Sequence, residues 1–124
     1  MKACIFEVDP WERGFLETLA PEHDVEFFSE ELDEGTAERA ADAEVISTFI
    51  YSRLSRDLLE NLPRVQLIAT RSTGVSHIDV GYCRERGIEV ANVTGYGNVP
   101  VAEHVFGLLL TISHNLTRAI ERTR

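Results

Sequence analysis

The sequence predicts an α/β fold in which five parallel strands form one sheet with helices on both faces. Three observations carry that reading. Short runs rich in Val, Ile and Phe alternate with capped, helix-like stretches five times over. The connections between them are short, with no linker, repeat or low-complexity tract. The 124 residues, 44% hydrophobic and 27% charged, suffice for about one domain with a real core.

Each element has its own signal. Residues 2–8 (KACIFEV) form a β-branched and aromatic run, hence a strand. Asp9, Pro10 and Glu12 then start a helix, with Asp9 as cap, Pro10 in the tolerant first turn and Glu12 closing a capping box. Trp11, Phe15, Leu16 and Leu19 share one face of that helix, and Pro21 stops it. Residues 24–28 are a shorter, more polar strand suited to an edge. Residues 36–41 make a short helix among acids. Residues 44–51 (EVISTFIY) are apolar enough for a central strand ending at Tyr51. Ser55 caps a helix that Pro63 ends. Residues 65–70 (VQLIAT) are the fourth strand. Ser76 and Asp79 have cap spacing for a helix that Gly87 terminates. Residues 88–93 are the fifth strand, and a long helix follows from 98 or 99 to about 122. Right-handed crossovers leave few topologies, and a flavodoxin-like three-layer sandwich of strand order 2-1-3-4-5 fits best.

The last helix is apolar most of the way round. Val101, Val105, Leu108, Leu109, Ile112, Leu116 and Ile120 make a broad stripe, and Phe106 and Leu110 lie off it. Such a helix needs burial on more than one side. Another domain or a second copy of the chain is expected to cover it.

Composition narrows the partners. Residues 1–61 carry 16 acids and five bases, whereas residues 62–124 carry five acids and seven bases. The net charge of −9 argues against nucleic acid. The mildly basic second half suits an anionic ligand. Cys4 and Cys83 read as small buried hydrophobes rather than a disulfide. Asp9, Glu12 and Arg13 interrupt the start, so no signal peptide is expected. The longest nearly apolar run, 105–112, is far short of the roughly 20 residues that span a bilayer. The expectation is a soluble, cytoplasmic protein with no membrane partner.

Two loops carry the candidate chemistry. In a parallel sheet, ligands bind at the carboxyl ends of the strands. The loop 71–75 (RSTGV) follows the fourth strand, and 92–98 (NVTGYGN) follows the fifth. Backbone N–H groups at Thr73, Gly74 and Val75 suit a carboxylate, and Gly74 would allow close approach. A plain tight turn needing glycine explains the same spacing, and spacing alone favours the turn. Tyr96, between Gly95 and Gly97, is either a binding group or folded back on the sheet. Tyr51 alone reads as a half-buried aromatic with a wet hydroxyl. Arg71 reads as the partner of an acid. The four histidines lack ligand spacing, so no metal site is expected. No GxSxG or GxGxxG pattern occurs. Spacing alone thus yields a ligand-binding α/β domain with no catalytic residue.

Residues 70–104, with RSTGVSHID and then NVTGYGNVPVAEH leading into an apolar helix, closely resemble the D-isomer-specific 2-hydroxyacid dehydrogenases. FIYSRLS at 49–55 and the Tyr96 context resemble the D-lactate dehydrogenase branch. The resemblance implies a flavodoxin-like substrate (catalytic) domain over residues 1–99. Residues 100–124 would then be a connecting helix toward a Rossmann domain for NAD that is absent here. In that family the substrate domain is completed by a C-terminal return. The dinucleotide fingerprint and the catalytic Arg, Glu and His lie downstream. The chain is therefore expected to be the truncated N-terminal piece of an oxidoreductase, inactive alone, and not to bind NAD tightly.

By position, the resemblance implies that the backbone at Thr73 and Gly74 holds the carboxylate of a 2-hydroxy or 2-keto acid. Tyr96 would lie beside the substrate, Tyr51 would wall its side-chain pocket, and Val101 would touch the nicotinamide. A homodimer through the 100–122 helix is the expected assembly.

A rival reading is a stand-alone (βα)5 receiver module. It needs an acidic pair after the first strand, which Glu7 and Asp9 mimic. It also needs an Asp ending the third strand and a Lys after the fifth, and neither is present. An FMN flavodoxin fails because DPWERG after the first strand lacks a hydroxyl-rich phosphate cradle.

Overall fold

The computed structural model describes residues 1–123. Those residues separate into two compact units, Met1–Val93 and a second beginning at Thr94.

The first unit is built on five parallel strands: β1 (Lys2–Ile5), β2 (Asp24–Phe27), β3 (Val45–Thr48), β4 (Leu67–Thr70) and β5 (Glu89–Ala91). Their order is β2-β1-β3-β4-β5, and every pair is parallel. This is the predicted topology, with the polar β2 at an edge. The strands are shorter than the apolar runs suggest, so Glu7, Val8 and Phe49–Tyr51 fall in loops beyond the strand ends.

Helices α1 (Pro10–Leu16), α2 (Arg56–Glu60) and α3 (Val80–Arg86) cross between strands, with single 3₁₀ turns at Glu17–Leu19 and Ala37–Ala40. Their ends follow the sequence signals. The Glu12 carboxylate accepts the Asp9 N–H at 3.2 Å, and the Ser55 hydroxyl accepts the Leu58 N–H at 3.3 Å. Asp79 is itself the cap of α3, accepting from Tyr82 N at 2.9 Å, so the helix starts later than the Ser76–Asp79 spacing suggests. Gly87 ends α3 at φ 71°, a left-handed geometry that glycine adopts without penalty.

The two sheet faces are unequal. Alternation along β3 and β4 sends Ile46, Thr48, Ile68 and Thr70 inward. They meet Leu54, Leu58, Leu59, Leu62, Tyr82 and Cys83, and this is the core. Truncating one such leucine to alanine costs about 2–5 kcal/mol. Cys4 and Cys83 are buried here as free thiols, and burial pushes Cys4 up to about 11. On the opposite face, α1 does not close on the sheet. Trp11 is 70% and Phe15 76% exposed, so part of the shared face of α1 is left uncovered. Leu16 and Leu19 instead line an apolar groove of about 340 Å³ with Ala3, Ile5, Val45 and Leu67.

The second unit holds α4 (Asn98–Ser113) and α5 (Leu116–Thr123). The run read as one long helix is therefore two, separated at His114 and Asn115, where Asn115 takes φ 51°. Asparagine tolerates that left-handed turn better than most residues. No residue of either helix is buried. No helix among the described residues is long and apolar enough to cross a membrane.

Candidate functional site

The carboxyl ends of β3 and β4 deliver two adjacent loops. Strand pairing carries the two together through Thr48–Thr70, and Arg71 N donates to Thr48 O at 2.8 Å. Thr70 Oγ1 donates to Phe49 O at 3.1 Å, and a bridge pairs Leu54 with Ile78. These ties hold the loops as one body.

The loop after β4 is fixed from below. The hydroxyl oxygens of buried Thr70 and Ser72 lie 2.7 Å apart, and Ser72 Oγ gives its one proton either to Thr70 Oγ1 or to Gly74 O, 2.8 Å away. His77 Nε2 lies 3.2 Å from Thr70 Oγ1. Asn92 Nδ2 donates to Thr73 O at 2.7 Å, and Val93 N to Ser72 O at 3.0 Å. The carbonyls of this loop are thus engaged. The N–H groups of Thr73, Gly74 and Val75 donate to no protein acceptor among the described residues. Unpaired consecutive donors suit an anion.

Gly74 separates the two readings its spacing allows. Its φ lies outside the left-handed region, and a Cβ added there would meet nothing within 4 Å. The turn therefore does not demand glycine, which removes the reason for the tight-turn reading.

The loop after β3 is the opposite case. Its four successive N–H groups converge on the Glu7 carboxylate. Phe49 N and Ser52 N reach Oε1 at 3.2 and 2.9 Å, and Ile50 N and Tyr51 N reach Oε2 at 3.0 and 2.9 Å. The Ser52 hydroxyl also donates to Oε1 and accepts from Leu32 N at 2.9 Å. Burial pushes the Glu7 carboxyl up, but the Ser52 hydroxyl and the loop N–H groups outweigh it and hold the group below its ordinary value.

The Tyr51 ring is exposed and stands edge-on to Phe49, with centroids 6.3 Å apart. Both line a cleft of about 650 Å³ walled by Glu7, Asp9, Glu30, Glu31 and Asp33. Five carboxylates make that cleft a poor home for an anion. Arg71 pairs with Glu12 at 3.4 Å and donates to the carbonyls of Phe6 and Glu7 at 3.0 and 2.7 Å, so it is committed to the scaffold.

Of the residues singled out by sequence, Thr73, Gly74 and Tyr51 lie on these two loops of the first unit. Tyr96 and Val101 belong to the second unit, where Tyr96 is 80% exposed after Gly95 at φ 76°. Sequence reasoning missed the Glu7 carboxylate, Ser52, and the Thr70–Ser72–His77 network. A glutamate ending an apolar strand run was the one available signal for Glu7. No group of three or more His, Cys, Asp or Glu suited to a metal occurs among the described residues. Nor does the turn after β1 fit a dinucleotide pyrophosphate, since it carries Glu7, Asp9 and Glu12 and no GxGxxG.

Comparison with known proteins places the fold in a family. The family profile "D-isomer specific 2-hydroxyacid dehydrogenase, catalytic domain" matches residues 3–122. A 2-hydroxyacid dehydrogenase homolog of Haemophilus influenzae is 34% identical over all of this chain, which covers 39% of that protein. The D-lactate dehydrogenase of Escherichia coli is 31% identical, with the same coverage. The crystal structure of an Aquifex aeolicus D-lactate dehydrogenase, complexed with NAD and lactic acid, superposes with a TM-score of 0.83 at 31% identity. It matches 98% of this chain and 36% of its own. The chain thus spans about two-fifths of the length of the relatives it matches. The receiver reading finds no support among them. Its acidic pair is also physically spent, because the Glu7 carboxylate is taken up by the 49–52 loop.

Proposed function

The chain belongs to the D-isomer specific 2-hydroxyacid dehydrogenase family, and on that premise we propose that it forms the substrate-carboxylate half of an NAD-dependent oxidoreductase. The enzyme interconverts a D-2-hydroxy acid and its 2-keto acid. The observation that carries the reading is the loop after β4. Three consecutive N–H groups, centred on a glycine whose conformation any residue could adopt, have no protein acceptor among the described residues. Thr73 and Gly74 hold the substrate carboxylate through those donors. Tyr51 walls the side-chain pocket, and Tyr96 stands beside the substrate.

NAD supplies the hydride chemistry in the whole enzyme, with Val101 contacting its nicotinamide. Residues of this chain bind and orient the acid and exclude water from it. Apart from that Val101 contact, the dinucleotide, like the proton, would be handled by residues outside the 124. The apolar groove beside Ala3, Ile5 and Val45 is the face on which a returning C-terminal segment packs. The exposed apolar α4 is the dimer surface. Light scattering that finds a clean monomer at high concentration overturns that last point.

Two measurements test the reading as a whole. The purified 124-residue chain, mixed with NAD and D-lactate, is expected to give no absorbance change from NADH; turnover refutes its dependence on further residues. The coding sequence downstream of Arg124 is expected to encode a GxGxxG and later an Arg, a Glu and a His. Its absence refutes the two-domain enzyme.

A further inference from the structure

Glu7 combines an unusual backbone with an unusual side-chain environment. It is a non-glycine residue at φ 57°, a left-handed conformation that L-residues other than asparagine and aspartate rarely adopt. Its own N–H donates to Glu30 O at 3.0 Å, and its carbonyl accepts from Arg71 at 2.7 Å. That backbone turn throws the side chain across the end of β1 into the loop after β3. There it satisfies four N–H groups in a row and, through Ser52, reaches Leu32.

Four successive donors converging on one carboxylate make an anion cradle. The sheet edge therefore carries two rows of backbone donors on adjacent loops. One converges on a carboxylate of the chain itself, and the other, at Thr73–Val75, has no protein acceptor among the described residues. A substrate whose recognition depends on its carboxylate would meet both if Glu7 were absent.

We propose that Glu7 is a positioning and specificity-determining residue. It plugs the 49–52 cradle, so that an external carboxylate is taken only by the Thr73–Gly74 loop, and it holds Tyr51 in place from behind. The second half of this inference rests on the proposed function; the plug itself does not. Glu7 touches no reacting atom and is not a catalytic residue. The charged groups around it are Arg71 on its carbonyl and the carboxylates Asp9, Glu30, Glu31 and Asp33 of the shared cleft, with Glu30 paired to Arg39.

The test uses amide NMR of the full chain. In the wild type, the amide protons of Phe49, Ile50, Tyr51 and Ser52 are expected to move together as acid is added, with one midpoint below the ordinary 4.5 of a glutamate. Independent movement, or a midpoint at or above 4.5, overturns the plug. Glu7→Gly keeps the left-handed turn and opens the cradle. Acetate, matched against chloride at equal ionic strength, is expected to shift the 49–52 amides of this variant at concentrations at least tenfold below any effect on the same amides of the wild type. Equal response in both proteins overturns the proposal. The 73–75 amides report the other reading separately. If acetate leaves them still in both proteins while filling 49–52 in Glu7→Gly, the substrate-site assignment fails and the plug stands.

Discussion

The loops after β3 and β4 sit on neighbouring strands and end the same way, with a short row of backbone donors, yet their donors meet opposite fates. Phe49 to Ser52 give theirs to Glu7, a residue more than 40 positions earlier in the chain. Thr73 to Val75 keep theirs while Ser72, Asn92 and Val93 engage the carbonyls of the same loop. The difference shows how a fold separates support from recognition. One loop is made rigid by an internal anion. The other is braced only from its carbonyl side, which leaves the donor side for a ligand.

The largest expected effect comes from breaking the completed loop. Glu7→Gln removes the charge and leaves one acceptor oxygen where the 49–52 donors use two, setting an NH2 group against N–H groups that now lack a partner. A loss of about 2 kcal/mol is expected in urea unfolding at neutral pH, since hydrogen bonds to charged groups are the stronger kind. The folded carboxyl titrates below its ordinary 4.5. Its contribution is therefore complete above that value and is lost as pH falls through the folded-state midpoint. The gap between wild type and variant should close in acid. Equal stability at neutral pH would erase the contrast between the loops.

Gly74→Ala probes the other side. Its Cβ meets open space, so stability should hold or rise by roughly 0.5 kcal/mol through the unfolded chain. Carboxylate affinity at the loop should fall about tenfold, or ~1.4 kcal/mol. A destabilised variant with unchanged ligand response would return Gly74 to the role of a turn.

Thr70→Val cuts the tie between the loops, because Thr70 Oγ1 bonds Phe49 O and meets both Ser72 and His77. A loss of about 1 kcal/mol is expected by the same unfolding assay. Tyr51→Phe should do least. Glu7 holds the Tyr51 backbone and not its ring, so stability should stay within about 0.5 kcal/mol.

Much of this architecture was legible in the residues. The five apolar runs, the cap at Ser55 and the stop at Gly87 name the elements, and short connections with right-handed crossovers leave the observed strand order. The motifs around Gly74 and Tyr96 point to the family that the profile and the relatives bear out. What stayed hidden is non-local. Glu7 reaches its partners across the end of two strands, and no local pattern encodes a left-handed glutamate. The exposure of Trp11 and Phe15 was equally hidden, because an amphipathic stripe does not say which surface, if any, covers it. The break at Asn115 was missed because an apolar stripe continues through a turn that a single asparagine can make.

The most direct test of the unequal loops is an amide NMR titration of the wild-type chain with pyruvate at neutral pH. Shifts at Thr73, Gly74 and Val75, with Phe49 to Ser52 unmoved, are the expected result. Shifts at Phe49 to Ser52, or stillness at Thr73 to Val75 up to saturating ligand, would contradict it.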